Sequence, residues 1–443
     1  MKIFKRTKIK KYSKDGRILF TKEMKKEYTI LIPMMLPIHF KFMKNILVKH
    51  GYKAELLNTS HSRIIEEGLQ NVHNDTCYPA LLVIGQLLDA IKSRKYDEDK
   101  LALIITQTGG GCRASNYIYL LRKALKKNKL EHIPVISFNL NGMEKNPGFM
   151  IRPSLLVQFV YATLYGDILM LLSNQVRPYE INPGETDRIV DKWVIKLSNE
   201  LNGKSFFSKR NIKRNMEQIA ADFAHIPVKK VDKIQVGIVG EIYMKYSPLG
   251  KNSLEELLAQ EDAEVHIPGL MDFIIYTCDN RITDTKLYGI NIIASFLAAL
   301  LKNYLIRMQN MLIDAVKTQY IFKAPSSFDH IKSLVKGYIG TGVKMGEGWL
   351  LTAEMLELIN SGIENIICTQ PFGCLPNHIS GKGMIRKIKE RHQNANIVAI
   401  DYDSGATKIN QENRIKLMLS TARLNLLKAA DDSEAFLDNA QTR

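Results

Sequence analysis

A chain of 443 residues with 45% hydrophobic and 24% charged side chains has enough apolar material for two or three folded domains, and it excludes a disordered or low-complexity polymer. Its net charge of +17 raises nucleic acid as a partner, but much of the excess lies among Lys2, Lys5, Arg6, Lys8, Lys10, Lys11, Lys14 and their neighbours, with no nucleic-acid reading motif beside it. Residues 1–28 therefore read as a solvated basic leader, and nucleic acid is not an expected partner.

No signal peptide is expected, because the opening region has no continuous apolar core before a small-residue site. Residues 290–301 form the longest apolar helical run and fall short of the about 20 residues a bilayer needs, so no membrane partner is expected. Five cysteines, an odd number without a Cys-x-x-Cys pair, suit a reducing compartment and predict a cytoplasmic protein with metal-binding, catalytic or core thiols.

In chain order, residues 29–33 predict a strand, 37–50 a helix and 53–58 a second strand. Asn74-Asp75-Thr76-Cys77-Tyr78-Pro79-Ala80 then leads into a helical rhythm carried by Leu81, Leu82, Ile84, Leu87, Leu88 and Ile91. Pro79 fits a first helical turn, which places Cys77 at a helix N-terminus where the dipole favours a thiolate. The apolar run 101–106 predicts a parallel strand covered on both faces, ending in Gln107-Thr108-Gly109-Gly110-Gly111-Cys112-Arg113. That glycine run matches neither a P-loop nor a dinucleotide fingerprint. A helix near 117–127 and a strand from 134 complete an α/β region over 29–151.

Residues 152–230 read as a helical middle section, and a second α/β region follows over 231–425. Its strand 234–239 runs into Gly240-Glu241-Ile242-Tyr243, at the strand end where open sheets place ligands. Residues 253–260 predict a helix, 264–267 a strand and 289–313 a long buried helix. Gly346-Glu347-Gly348-Trp349 precedes a helix over 350–360, so its amides are candidates to receive an anion, while Glu347 is a candidate cap of that helix. A buried strand over 365–368 is followed by Pro371, Gly373 and Pro376, which hold Cys374 outside regular structure. A helix over 384–391, a strand over 397–400 and a frayed tail over 426–443 end the chain. The fold class expected is α/β, with Rossmann-like, mainly parallel sheets and a helical middle.

Cys77, Cys112 and Cys374 occupy comparable loops and suggest one shared site, against the alternative of three separate buried thiols. Thiolates favour iron-sulfur clusters, zinc or copper(I), and three of them on a four-iron cluster would leave one iron open. Cys368 reads as core, and Cys278 remains an alternative ligand. Glu241 and Tyr243 are candidates to line a substrate cavity, with a satisfied strand-end carboxylate as the other reading of Glu241. His378 is a candidate proton donor or a local turn hydrogen-bonder.

The Cys77, Cys112, Glu241-Ile242-Tyr243 and Gly346-Glu347-Gly348-Trp349 segments, with Gln370-Pro371-Phe372-Gly373-Cys374-Leu375-Pro376-Asn377-His378, together resemble the 2-hydroxyacyl-CoA dehydratase component family (2-hydroxyglutaryl-CoA dehydratase-like). The nearest likeness is its acyl-CoA dehydratase activase-related branch, over residues 29–419. The resemblance implies a lyase component holding a 4Fe-4S cluster through Cys77, Cys112 and Cys374, in anaerobic metabolism. It also implies a separate ATP-dependent iron-sulfur activator protein that supplies one electron, an acyl-CoA-type substrate, and a second dehydratase subunit as a further partner. With that electron the thioester becomes a ketyl radical anion and a hydroxyl group leaves. The absence of a P-loop points to the electron acceptor. A non-catalytic iron-sulfur electron-transfer or scaffold protein is the alternative, and a basic binding module without metal is a third.

Overall fold

Two four-stranded parallel sheets organise the chain in a computed structural model that describes residues 11–108, 110–139, 143–201, 208–229 and 231–441. The lysine-rich segment enters as a hairpin, β1 (Lys11–Tyr12) and β2 (Ile18–Leu19), and a helical turn, α1 (Met24–Glu27). Residues 11–28 are therefore not a solvated leader. Ile18, Phe20 and Met24 lie among the basic residues and are buried, and the Phe20 amide donates to Asn146 Oδ1 at 3.1 Å. Residues 1–10 lie outside the described residues.

The first sheet is built from β3 (Thr29–Pro33), α2 (Pro37–Lys49), β4 (Lys53–Leu57), α3 (Arg63–Asn71), α4 (Tyr78–Lys92), β5 (Leu101–Thr106), α5 (Tyr117–Lys127) and β6 (Val135–Phe138), in strand order β4-β3-β5-β6. Along β5, Leu101, Leu103 and Ile105 enter one core cluster while Ala102 and Ile104 enter another, so helices cover both faces. Proline opens α2 and α4, where its missing N–H costs nothing. α3 separates β4 from the Cys77 loop, so Cys77 lies between two helices.

The middle of the chain is α6 (Pro153–Val176), α7 (Glu185–Glu200) and α8 (Lys209–Ala224). Among the described residues, the segment Pro153–Tyr179, which α6 dominates, is long and apolar enough to cross a membrane, but 67% of its apolar window is buried inside the protein. A core helix has this character.

The second sheet follows with β7 (Ile234–Gly240), α9 (Ile242–Tyr246), α10 (Leu254–Gln260), β8 (Ala263–His266), α11 (Leu270–Tyr288), α12 (Ile292–Lys317), α13 (Phe328–Leu334), α14 (Trp349–Asn360), β9 (Asn365–Pro371), α15 (Ile385–Arg391), β10 (Asn396–Tyr402) and α16 (Lys408–Gln441), in strand order β10-β9-β7-β8. Both core clusters draw residues from both sheets, so the two α/β regions share a continuous interior.

Three expectations need correction here. The run 289–313 is not one buried helix: Gly289 ends α11 in the left-handed conformation, and the large apolar residues in the first half of α12 face outward. β9 continues to Pro371, which pairs in register with Tyr402 because the last strand position tolerates proline. The tail expected to fray from residue 426 continues α16 as far as Gln441.

Candidate functional site

The loops carrying Cys77, Cys112 and Cys374 meet where the two sheets adjoin. Gly373, with φ +73°, lets the Cys374 loop press on the Cys77 backbone: a β-carbon on Gly373 would lie 3.0 Å from Cys77 Cα. The Tyr78 amide donates to Phe372 O across the same junction at 3.0 Å. The Cys112 loop closes the third side. A β-carbon on Gly346 would lie 3.0 Å from Pro376 Cγ and 4.0 Å from Cys112 Sγ, and Gly111 faces Met345. Arg113 donates to Asp75 O, tying the Cys112 loop to the turn before Cys77. Gly109 of that loop lies outside the described residues.

Cys77 and Cys374 are buried, Cys112 is partly so, and all three are free thiols. Burial is the first cause in each case and pushes every one of the three thiols upward, Cys77 to about 12. At Cys77, the N-cap of α4, burial thus outweighs the helix dipole expected to favour a thiolate. The Tyr117 hydroxyl, 2.7 Å from Cys77 Sγ, opposes the rise in part. The charges of Glu241 and Cys112 also reach Cys77, and those of Glu347, Glu241 and Cys112 reach Cys374. The three thiols therefore form one electrostatic neighbourhood, with Glu241 common to all.

Glu241 follows β7 directly and caps α9, its Oε2 accepting from the Met244 amide at 2.9 Å. Glu347 does not cap its own helix. Its Oε1 accepts from the Ile242 amide at 2.9 Å and brings the two carboxyls together. Burial raises both, and the charge of Glu347 raises Glu241 further, so the pair is biased toward protonation. Lys245, one turn beyond Glu241, opposes this with its buried charge while bonded to Glu354 Oε1 at 2.7 Å.

The expected anion cradle at Gly346-Glu347-Gly348-Trp349 is not open. The Gly348 amide donates to Met345 O, Trp349 to Val343 O and Leu350 to Glu347 O, so the turn consumes its own donors. Tyr243 is buried near Glu241 and Tyr78, and burial raises its phenol. His378 is exposed; its amide donates to Cys374 O at 3.1 Å, which shapes the loop. Cys368 is core, its Sγ 3.5 Å from Asn377 Oδ1. Cys278 lies on α11 within reach of the Lys302 charge.

Sequence reasoning missed Tyr117 as a partner of Cys77 and Lys245 as the buried cation. Tyr117 gave no signal beyond starting a helix after a glycine turn, whereas Lys245 in an otherwise apolar helical turn beside Glu241 was a visible oddity.

The chemistry of the donor set suits a soft metal group: three thiols without histidine, on loops anchored to one another. Among the described residues no three Cys, His, Asp or Glu side chains are drawn in tightly enough for a single metal ion. In comparison with known proteins, no family model matches the chain and no curated protein matches its sequence.

Proposed function

We propose that this chain is the iron-sulfur subunit of a 2-hydroxyacyl-CoA dehydratase-like system, with Cys77, Cys112 and Cys374 as the ligands of a 4Fe-4S cluster. The observation that carries the reading is the gathering of three thiols from widely separated loops around Glu241, at the ends of two parallel sheets. When bound, the cluster would supply one-electron delivery and an open iron for a substrate oxygen. A separate ATP-dependent activator would provide the electron, and an acyl-CoA thioester the reacting carbonyl.

The chain's own residues then divide the remaining work. Tyr117 orients the Cys77 sulfur through its hydroxyl. Gly373 and Gly346 bring the loops into contact, and burial shields Cys77 and Cys374 from water while Cys112 stays partly accessible. Glu241, biased toward its protonated form, is the group placed to give a proton to a departing hydroxyl, a role that exposed His378 is less well placed to fill.

Anaerobic reconstitution followed by iron and sulfide analysis tests the reading. Wild-type protein should take up both and become coloured. Cys77→Ala, Cys112→Ala and Cys374→Ala should each lower the iron content severalfold, while Cys278→Ala and Cys368→Ala should retain it. A colourless wild type, or a cluster that survives both Cys112→Ala and Cys374→Ala, would overturn the ligand assignment. Turnover of candidate acyl-CoA thioesters with activator and ATP then separates a dehydratase from an electron carrier.

A further inference from the structure

The first half of α12 presents an inverted surface. From Ile290 to Leu301 there is no charged residue, and Ile290, Ile292, Ile293, Phe296, Leu297 and Leu300 are 53–76% exposed. Helical spacing sets Ala294, Ser295, Ala298 and Ala299 on the other side, the side from which Lys302 reaches back to Asp279 of α11 at 2.8 Å. Small residues thus let α11 and α12 approach closely, and the bulky ones are turned to water.

We infer that this face is the contact between two copies of the chain, joined about a two-fold axis so that two α11–α12 hairpins cover one another. At about 200 Å² for a large apolar side chain, the six residues leave on the order of 800 Å² in water. A stable interface of standard size takes about 800 Å² from each partner, so the patch is as large as a dimer requires. Its chemistry favours a copy of itself: an uncharged apolar face laid on its equivalent strands no charge. Of the charges nearby, Lys302 is engaged with Asp279 and Lys344 with Asp284, while Lys286 in the last turn of α11 is exposed beside the patch. A helix lying on a membrane would carry a row of lysines or arginines along its polar side, but here that side is small and faces α11. The inference does not depend on the metal site.

Sedimentation equilibrium of the full chain at micromolar concentration is the test. The expected mass is twice the 50.4 kDa of the chain. Ile293→Glu with Leu297→Glu should raise the dissociation constant by about a hundredfold or more, since each glutamate would enter an apolar contact. Both positions are exposed in the single chain, so the helical circular dichroism should be retained. A monomeric wild type overturns the inference irrespective of the variant, as does a dimer that withstands both glutamates. Flotation with phosphatidylglycerol vesicles provides the other arm: a monomer that floats with vesicles, and loses this in the variant, identifies a membrane face and also overturns the dimer.

Discussion

Replacing Gly373 by alanine tests whether the cysteine loops are held together by backbone contact. The substitution has two separable costs. At φ +73° a residue with a β-carbon sits in the left-handed region, which costs about 1–2 kcal/mol. The new carbon would also lie 3.0 Å from Cys77 Cα and 3.1 Å from Cys77 N, backbone atoms that cannot rotate aside. The loops must separate, straining the bond from the Tyr78 amide to Phe372 O, worth about 0.5–1.5 kcal/mol. The total is about 1.5–3.5 kcal/mol. Gly362→Ala is the control, because Gly362 has φ +81° with nothing within 4 Å of the added carbon and so carries the backbone cost alone. Thermal unfolding should place Gly373→Ala clearly below Gly362→Ala, and anaerobic iron uptake should fall only in Gly373→Ala. Equal midpoints and equal iron would refute the idea that this contact sets the spacing of the thiols.

Two further predictions concern buried charge. Glu354→Gln should destabilise by about 3–5 kcal/mol by leaving the Lys245 ammonium, 4% exposed, without its anionic partner; Lys245→Met with Glu354→Leu should recover most of that loss in urea unfolding midpoints. A single variant as stable as the double would contradict this. Asp272 is raised to about 8, first by burial and then by the charges of Asp167, Glu354 and Glu357, while Gln309 opposes through its hydrogen bond. Between the ordinary carboxyl value of 3.8 and about 8, the folded protein holds a proton that the unfolded chain releases, so this group makes stability fall as pH rises across that window, by at most about 1.4 kcal/mol per pH unit. Asp272→Asn should therefore exceed wild type in thermal midpoint at pH 8, with the gap narrowing toward pH 5. A gap independent of pH would locate the effect elsewhere.

The alternation of strands and helices, the apolar run of β5 and the prolines that open α2 and α4 were legible from residue order, because periodicity and turn chemistry are local properties. So was the break in regular structure at Cys374, although Pro371 and Pro376 themselves lie in the strand and the helical turn that flank it and only the Gly373 turn lies between. Lysine content misled at residues 11–28, where Ile18, Phe20 and Met24 find a buried seat that composition does not reveal.

Which loops meet is a property of how two sheets adjoin. No local pattern indicates that Gly373 lies against Cys77, that Tyr117 reaches its sulfur, or that Glu347 turns from its own helix to the Ile242 amide. These pairings join segments far apart in the chain and arise from packing around a shared core. The same holds for α12: its apolar run was plain in the sequence, but only the position of α11 decided that the small residues face inward and the large ones meet water.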